Sequence, residues 1–234
     1  MLHGVPYVKT IVCLATSQKA RGLCIAGKEV LAVGSYGGWI RPIGARPKAE
    51  VLPEECWYPD KTIPRPLDIV DVPLLEPAPV NPQTENQILD PGSPWRKRGV
   101  FRWDDLDQIR DHPPSLWLNN DHTQQGVNDC AAAQEAASFR RSLFLIRQAN
   151  FTVEVGHKTW EGVRSRTFRG LFDYYGTYYN LSVTDPVVRN SLARKPEAQY
   201  IFADVYLCIS LTEPYDEDGR CHKLVAAVIG NPPL

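Results

Sequence analysis

The residues with most chemical promise in this chain are cations set beside hydroxyls, amides and flat rings. Within Cys13–Lys28, a polar turn bearing Ser17, Lys19 and Arg21 separates two apolar runs. A hydroxyl and two cations on one turn can hold a phosphate, although the spacing is not the GxxxxGK[ST] loop that cradles a nucleoside triphosphate. A solvated hairpin tip is the competing reading. Trp39 and Arg41 then alternate along Gly37–Pro42 and so share one face of a strand. A ring beside a guanidinium can sandwich a base; equally, an arginine stem can pack across a core tryptophan. The third stretch, Trp95–Trp103, mixes Arg96, Lys97, Arg98 and Arg102 with Trp95, Phe101 and Trp103. Such interleaving suits single-stranded nucleic acid, because rings stack on bases while cations track phosphates. A basic linker held against Asp104, Asp105, Asp107 and Asp111 would read the same way.

Smaller constellations could add to that surface. Gln83 and Asn86 offer amide edges, and Glu85 between them can orient an arginine such as Arg41, although a loop satisfying its own backbone uses the same groups. Lys158, Arg164, Arg166 and Arg169 lie near Trp160 and Phe168 and could extend the groove. Tyr174, Tyr175, Tyr178 and Tyr179 cannot all be core, so some must face solvent or a partner.

Catalytic signals are thin. The five histidines are scattered and no GxSxG or HExxH appears. Asp121–His122 reads as surface loop, and Glu85, Asp121 and Asp185 would need the fold to converge before they could hold a divalent ion. The six cysteines, at 13, 24, 56, 130, 208 and 221, show no two-residue spacing, so neither a zinc ribbon nor a redox pair is written here. Cys221–His222 alone falls short of the three or four ligands a metal needs. The expectation is a non-catalytic protein with no cofactor and no metal.

The elements that must position these groups read as strands. Twenty prolines and 16 glycines cut the sequence into short pieces rich in Val, Ile, Leu, Tyr and Thr. Candidate strands are Tyr7–Ala15, Leu23–Val33, Gly38–Pro42, Leu67–Leu75, Ser142–Gln148, Phe151–Val155, Thr177–Val183, Tyr200–Leu211 and His222–Ile229, with hairpin turns at Gly37–Gly38 and Asp218–Gly219. Short helices are expected at Trp103–Arg110, at Cys130–Phe139 and from Pro186 to Arg194, the last with Asp185 as N-cap. Prolines at 73, 77, 79, 82, 91 and 94 argue for a long loop or irregular edge. The layout is two five-stranded units, 1–94 and 142–234, joined by a partly helical insert at 95–141.

With 26 Lys plus Arg against 27 Asp plus Glu, the net charge is −1, which argues against a generic polyanion binder. The distribution is uneven, however: residues 1–50 hold 7 basic and 2 acidic side chains, and residues 51–120 hold 7 and 12. Any anion site must therefore be local. No window reaches the roughly 18 apolar residues of a membrane helix, and the first residues lack a basic segment followed by an apolar one. A cytoplasmic protein without a membrane partner is expected.

Several strings taken together resemble one known family. They are Cys13-Leu14-Ala15 with Ser17, Lys19, Gly22, Cys24, Ala26 and Gly27; Gly38–Pro42; Gln83 with Glu85 and Asn86; Leu116–Asn119; Tyr178–Pro186; Leu207–Pro214; and Lys223–Ile229. The set is similar to bacterial proteins described as containing a dual OB-fold domain, and it spans nearly the whole chain. The resemblance implies a mainly β protein of two OB-like barrels with short helical insertions, packed as one compact unit. It also implies nucleic-acid binding and an accessory or sensor role in prokaryotic defence. Ser17, Lys19, Trp39, Arg41, Gln83, Glu85, Asn86, Tyr178 and Asp185 carry over as ligand-binding positions; Thr16 stands where the pattern has Asn. To these the residue reading adds Arg21, Arg96, Lys97 and Arg98. The expected partner is single-stranded nucleic acid or a nucleotide, and the alternative is an adaptor docking a protein partner through its tyrosines and proline loop. The choice turns on Trp39 and Arg41: on an open face they favour nucleic acid, whereas a sealed Trp39 and an Arg41 held by a carboxylate favour the docking scaffold.

Overall fold

Runs of β-branched and apolar residues broken by proline and glycine favour short strands, and the chain folds as two sets of them. The computed structural model describes residues 5–19, 21–160, 162–215 and 217–231. It divides into two compact units, Met1–Ile109 and Arg110–Leu234.

The first unit contains β1 (Tyr7–Lys19), β2 (Gly22–Ala32), β3 (Ser35–Ile43), α1 (Pro53–Cys56), β4 (Asp68–Pro77), β5 (Asn86–Leu89) and β6 (Arg96–Val100), followed by a 3-10 turn at Trp103–Gln108. β1 pairs antiparallel with β2, and β2 with β3. β3 then runs parallel to β5, β5 antiparallel to β4, and β4 antiparallel to β1, so the pairings form a closed circuit of five strands. Alternation points Val70, Val72 and Leu74 of β4 into a core with Ile11, Cys13, Ile25, Ile40, Leu89 and Trp95. β6 lies outside the circuit, hydrogen-bonded to β4 from Asp68 to Asp71.

The second unit repeats the plan. Its elements are β7 (Cys130–Ala132), α2 (Ala133–Ala136), β8 (Leu143–Trp160), β9 (Val163–Tyr174), β10 (Thr177–Val183), α3 (Pro186–Leu192), β11 (Gln199–Leu211) and β12 (Arg220–Ile229). β8, β9 and β10 pair in sequence antiparallel, β10 runs parallel to β12, and β12 returns through β11 to β8. In both units the order is three strands, a short helix, then two strands. Asp185 caps α3 as expected, with Pro186 opening the helix: its Oδ1 accepts from the backbone N–H of Val187 at 2.7 Å and of Val188 at 3.3 Å.

The strand-rich reading holds, with local corrections. Gly37 and Gly38 lie inside β3; the chain reverses at Val33–Gly34, where Gly34 takes φ +74°. Pro73 sits within β4, and the proline stretch that follows shelters β5, whose four residues are too few to show alternation. Arg96–Val100 is a strand of the first sheet, and helix between 95 and 141 is confined to the 3-10 turn and α2. β9 was hidden by its arginines, although Phe168, Gly170, Phe172 and Tyr174 alternate correctly on its buried side.

The second strand of each circuit carries a glycine where it crosses the first. A Cβ on Gly27 would lie 2.2 Å from the Val12 carbonyl oxygen, and one on Gly170 would lie 2.8 Å from the Phe151 ring. A backbone oxygen cannot swing aside as a side chain can. Gly27→Ala is therefore expected to destabilise the first unit by about 2 kcal/mol or more, as overpacking does. Gly38→Ala, with open space around its Cβ, should change urea-unfolding midpoints little.

Candidate functional site

The parallel pair β3/β5 brings Arg41 opposite Asn86. The Arg41 backbone N–H donates to the Glu85 carbonyl at 3.0 Å, and its guanidinium lies 3.3 Å from the Glu85 carboxylate. Beside them the Asn86 amide donates to Gln83 Oε1 at 3.4 Å. Arg41 is 1 % exposed and Trp39 7 %, while Lys28 lies 5.4 Å from the Trp39 ring and is buried with it. Gln83, Glu85 and Asn86 are buried too. Glu85 thus does orient Arg41, and Trp39 and Arg41 do not stand on an open face. Ser17 and Lys19, expected on a turn, lie in β1, the first buried and the second half-buried, and Arg21 on the connection to β2 is exposed.

The second unit uses its predicted residues in a similar way. Besides capping α3, Asp185 accepts through Oδ2 from the Val228 N–H of β12 at 2.7 Å. Burial pushes its carboxyl up, against the pull of these backbone donors. All three bonds are structural, so Asp185 has little left for a ligand. Tyr174 and Tyr179 are buried, whereas Tyr175 is 71 % and Tyr178 43 % exposed. Arg164 lies exposed with Glu197 at 2.9 Å; the Trp160 side chain lies outside the described residues.

Arg169 is buried, 3.2 Å from Asp129, and donates to Asn180 Oδ1 and Ser182 Oγ at 2.7 Å each. Lys223 is 1 % exposed; its ammonium donates to the Leu118 carbonyl and sits 5.5 Å from the Tyr179 ring. Desolvation lowers its pKa to about 8, despite nearby Cys130, Asp129 and Asp121.

Three consecutive exposed cations, Arg96, Lys97 and Arg98, stand on β6. Trp95 and Phe101 at its ends turn inward and Trp103 beyond it is half-buried, so the strand itself presents its charges outward without their flanking rings. Arg65, Arg96, Lys97 and Arg98, with Asp60 and Asp68, line a cleft of about 760 Å³ whose other walls are Tyr58, Pro59, Thr62 and Ile63. Lys97 is 2.5 Å from Asp68, which also accepts from the Tyr58 hydroxyl at 3.0 Å and the Arg65 N–H at 3.1 Å. Arg98 is 2.5 Å from Asp71. Burial pushes the Asp71 carboxyl up, but hydrogen bonds from Arg98 and Thr10 and the charges of Arg98 and Arg96 outweigh it and leave Asp71 below the usual carboxylate range. Arg65 and Arg96 form no ion pair among the described residues. Two cations are thus held rigid by carboxylates and two are available to an anion. Arg65 escaped the sequence reading, although its setting between Pro64 and Pro66 marks a cation on a stiffened segment.

Each circuit, with its one parallel pair and its helix between third and fourth strands, has the Greek-key form of an OB-fold. A family model described as the dual OB-containing domain matches residues 9–228. The chain belongs to that family. No curated protein and no solved structure matches it. In this dual OB-containing chain, OB-fold strands 2 and 3, which commonly carry the ligand, correspond in the first unit to β2 and β3, where Lys28, Trp39 and Arg41 are buried. Among the described residues no cluster of three His, Cys, Asp or Glu is placed to hold a metal, and no helix is long and apolar enough to cross a membrane.

Two stability outcomes follow from the buried cations. Arg41→Ala removes a buried guanidinium from beside the buried Glu85 carboxylate and should cost about 3–5 kcal/mol in chemical denaturation, against about 0.5 or less for exposed Arg21→Ala. Lys223 ordinarily titrates at 10.5 and is held near 8 by the fold, so between those values the unfolded chain binds more protons and stability gains with rising pH. Below pH 8 the penalty is fully present. Lys223→Met should then be more stable than the parent at pH 7 by on the order of 2–3 kcal/mol, a gap that closes as pH rises through 8 to 10.

Proposed function

We propose that this dual OB-containing chain binds single-stranded nucleic acid, or a nucleotide-like ligand, without catalysis, through the basic cleft beside β6. The observation that carries the reading is the presence in one cleft of four cations, Arg65, Arg96, Lys97 and Arg98, against two carboxylates, Asp60 and Asp68. The volume, about 760 Å³, falls in the usual range of small-molecule and cofactor sites. A net negative chain that concentrates positive charge in one place selects anions locally rather than coating itself with them. Lys97 and Arg98, fixed by Asp68 and Asp71, set the local field, and Arg65 and Arg96 supply the direct contacts. Of the positions expected from sequence, Arg96, Lys97 and Arg98 are kept in this site. An accessory or sensor role in prokaryotic defence rests on the family resemblance alone.

Judged by Trp39 and Arg41 alone the balance tips to a second reading, a module docking a protein partner, and the first reading rests instead on the β6 cleft. Trp39 and Arg41 are sealed, while Tyr175 and Tyr178 stay exposed at the β9–β10 turn.

The first reading is tested by fluorescence anisotropy with a labelled oligothymidylate. Arg65→Ala and Arg96→Ala should each weaken binding and lower the slope of log affinity against log salt by about 0.7, the value for one single-strand phosphate contact. Arg164→Ala in the second unit should leave both unchanged. Binding that persists in the Arg65/Arg96 double variant would remove the cleft from the account, and a persistent protein partner lost with Tyr175→Ala would favour docking.

A further inference from the structure

A second cleft, about 440 Å³, meets the first at β6, and Arg96 and Arg98 line both. Its character is different. Pro6, Tyr7 and Pro94 give it an apolar wall, and its carboxylates are already engaged: Asp71 by Arg98 and Thr10, and Asp90 by Ser93 Oγ at 2.7 Å and the Gly92 N–H at 3.0 Å. The Tyr7 hydroxyl donates to Gln87 Oε1, which anchors the half-buried ring at the start of β1. One side of the Arg96–Arg98 ridge is thus cationic and polar, and the other offers a fixed aromatic and two prolines.

The β4–β6 register shifts between Gly99, opposite Ile69, and Lys97, opposite Val70, so Arg98 is the extra residue of a bulge; what joins the two clefts is that Arg96 and Arg98 line both, with Asp71 and Thr10 holding the Arg98 end of the ridge in place. A mononucleotide fills one cleft and leaves the other empty. A chain crossing the ridge uses both, with phosphates along the arginines and a base on the apolar wall.

We infer that the ligand of this site is a polymer of two or more nucleotides, whose backbone crosses the Arg96–Arg98 ridge and places one base in the cleft of Pro6, Tyr7 and Pro94. This rests on the reading of the first cleft as an anion site, and it deepens that reading by fixing the ligand as an oligonucleotide. The track lies on β4 and β6, away from the β2–β3 face.

The experiment titrates the full chain with thymidine 5′-monophosphate, with oligothymidylates of two to eight nucleotides, and with inorganic polyphosphate of matched length. Affinity should step up by tenfold or more between the monophosphate and the shortest oligomers that span the ridge, then level off. Tyr7→Ala should abolish the step, a loss of about tenfold for one stacked base, while leaving monophosphate binding as it was. Tyr7→Phe, which keeps the ring and removes only the hydroxyl, should retain the step and guards against a folding defect, with circular dichroism as the check on both variants. A flat length series with monophosphate binding still dependent on Arg65 overturns the polymer inference and leaves the anion site standing. Polyphosphate bound as tightly as the oligomers also overturns it, since no base would then be read. Absence of binding by every probe overturns the anion site itself.

Discussion

Five strands cannot close on themselves with every neighbour antiparallel, because directions that alternate around an odd circuit must clash once. Each unit of this protein meets that constraint with one parallel pair, β3 with β5 and β10 with β12. No hairpin can set the register of such a pair, since its strands are separated in sequence by a helix and another strand. Side chains do it instead. In the first unit Glu85 holds Arg41 across the junction, and in the second Asp185 ties the start of α3 to Val228 of β12. These are polar groups placed where an apolar contact would allow slippage, and their burial makes them depend on one another.

That constraint explains why the sequence misleads about the site. Arg41, Glu85, Asn86 and Asp185 stand out because buried polar residues are scarce and specific, and specificity reads as ligand recognition when the partner is distant in the chain. Nothing near Arg41 reveals that the residue facing it is 45 positions away, at Asn86. The strands themselves were far more legible, because alternation is local: β10 was bounded to the residue, and the capping of α3 by Asp185 with Pro186 was written in two adjacent letters. β5 and β9 were missed for opposite reasons, one being too short to show a period and the other having arginines on its outer face. The basic run on β6 was legible as charge but not as geometry, since its flanking Trp95 and Phe101 turn into the core instead of joining the cations outside.

β6 itself sits where a sheet is most vulnerable. A strand bonded on one side only offers its other edge to any passing chain, and rows of arginine and lysine are a standard defence against such pairing. The same charges create the cleft. In the site proposed above, protection of an edge and attraction of an anion would be one property of the sequence Arg96-Lys97-Arg98, and the two roles would diverge at Arg65, which lies outside the strand and does nothing to guard its edge.

The attachment of β6 outside the closed circuit has an evolutionary corollary. Residues within the circuit are committed to its register, so a change at one demands a compensating change far off. On β6, Arg96 forms no ion pair among the described residues, whereas Lys97 and Arg98 are tied to Asp68 and Asp71 of β4, and the flanking Trp95 and Phe101 are locked into the interior. For the site proposed on this appended strand, a change at Arg96 would accordingly alter what is recognised while leaving the register of the circuit beneath it untouched.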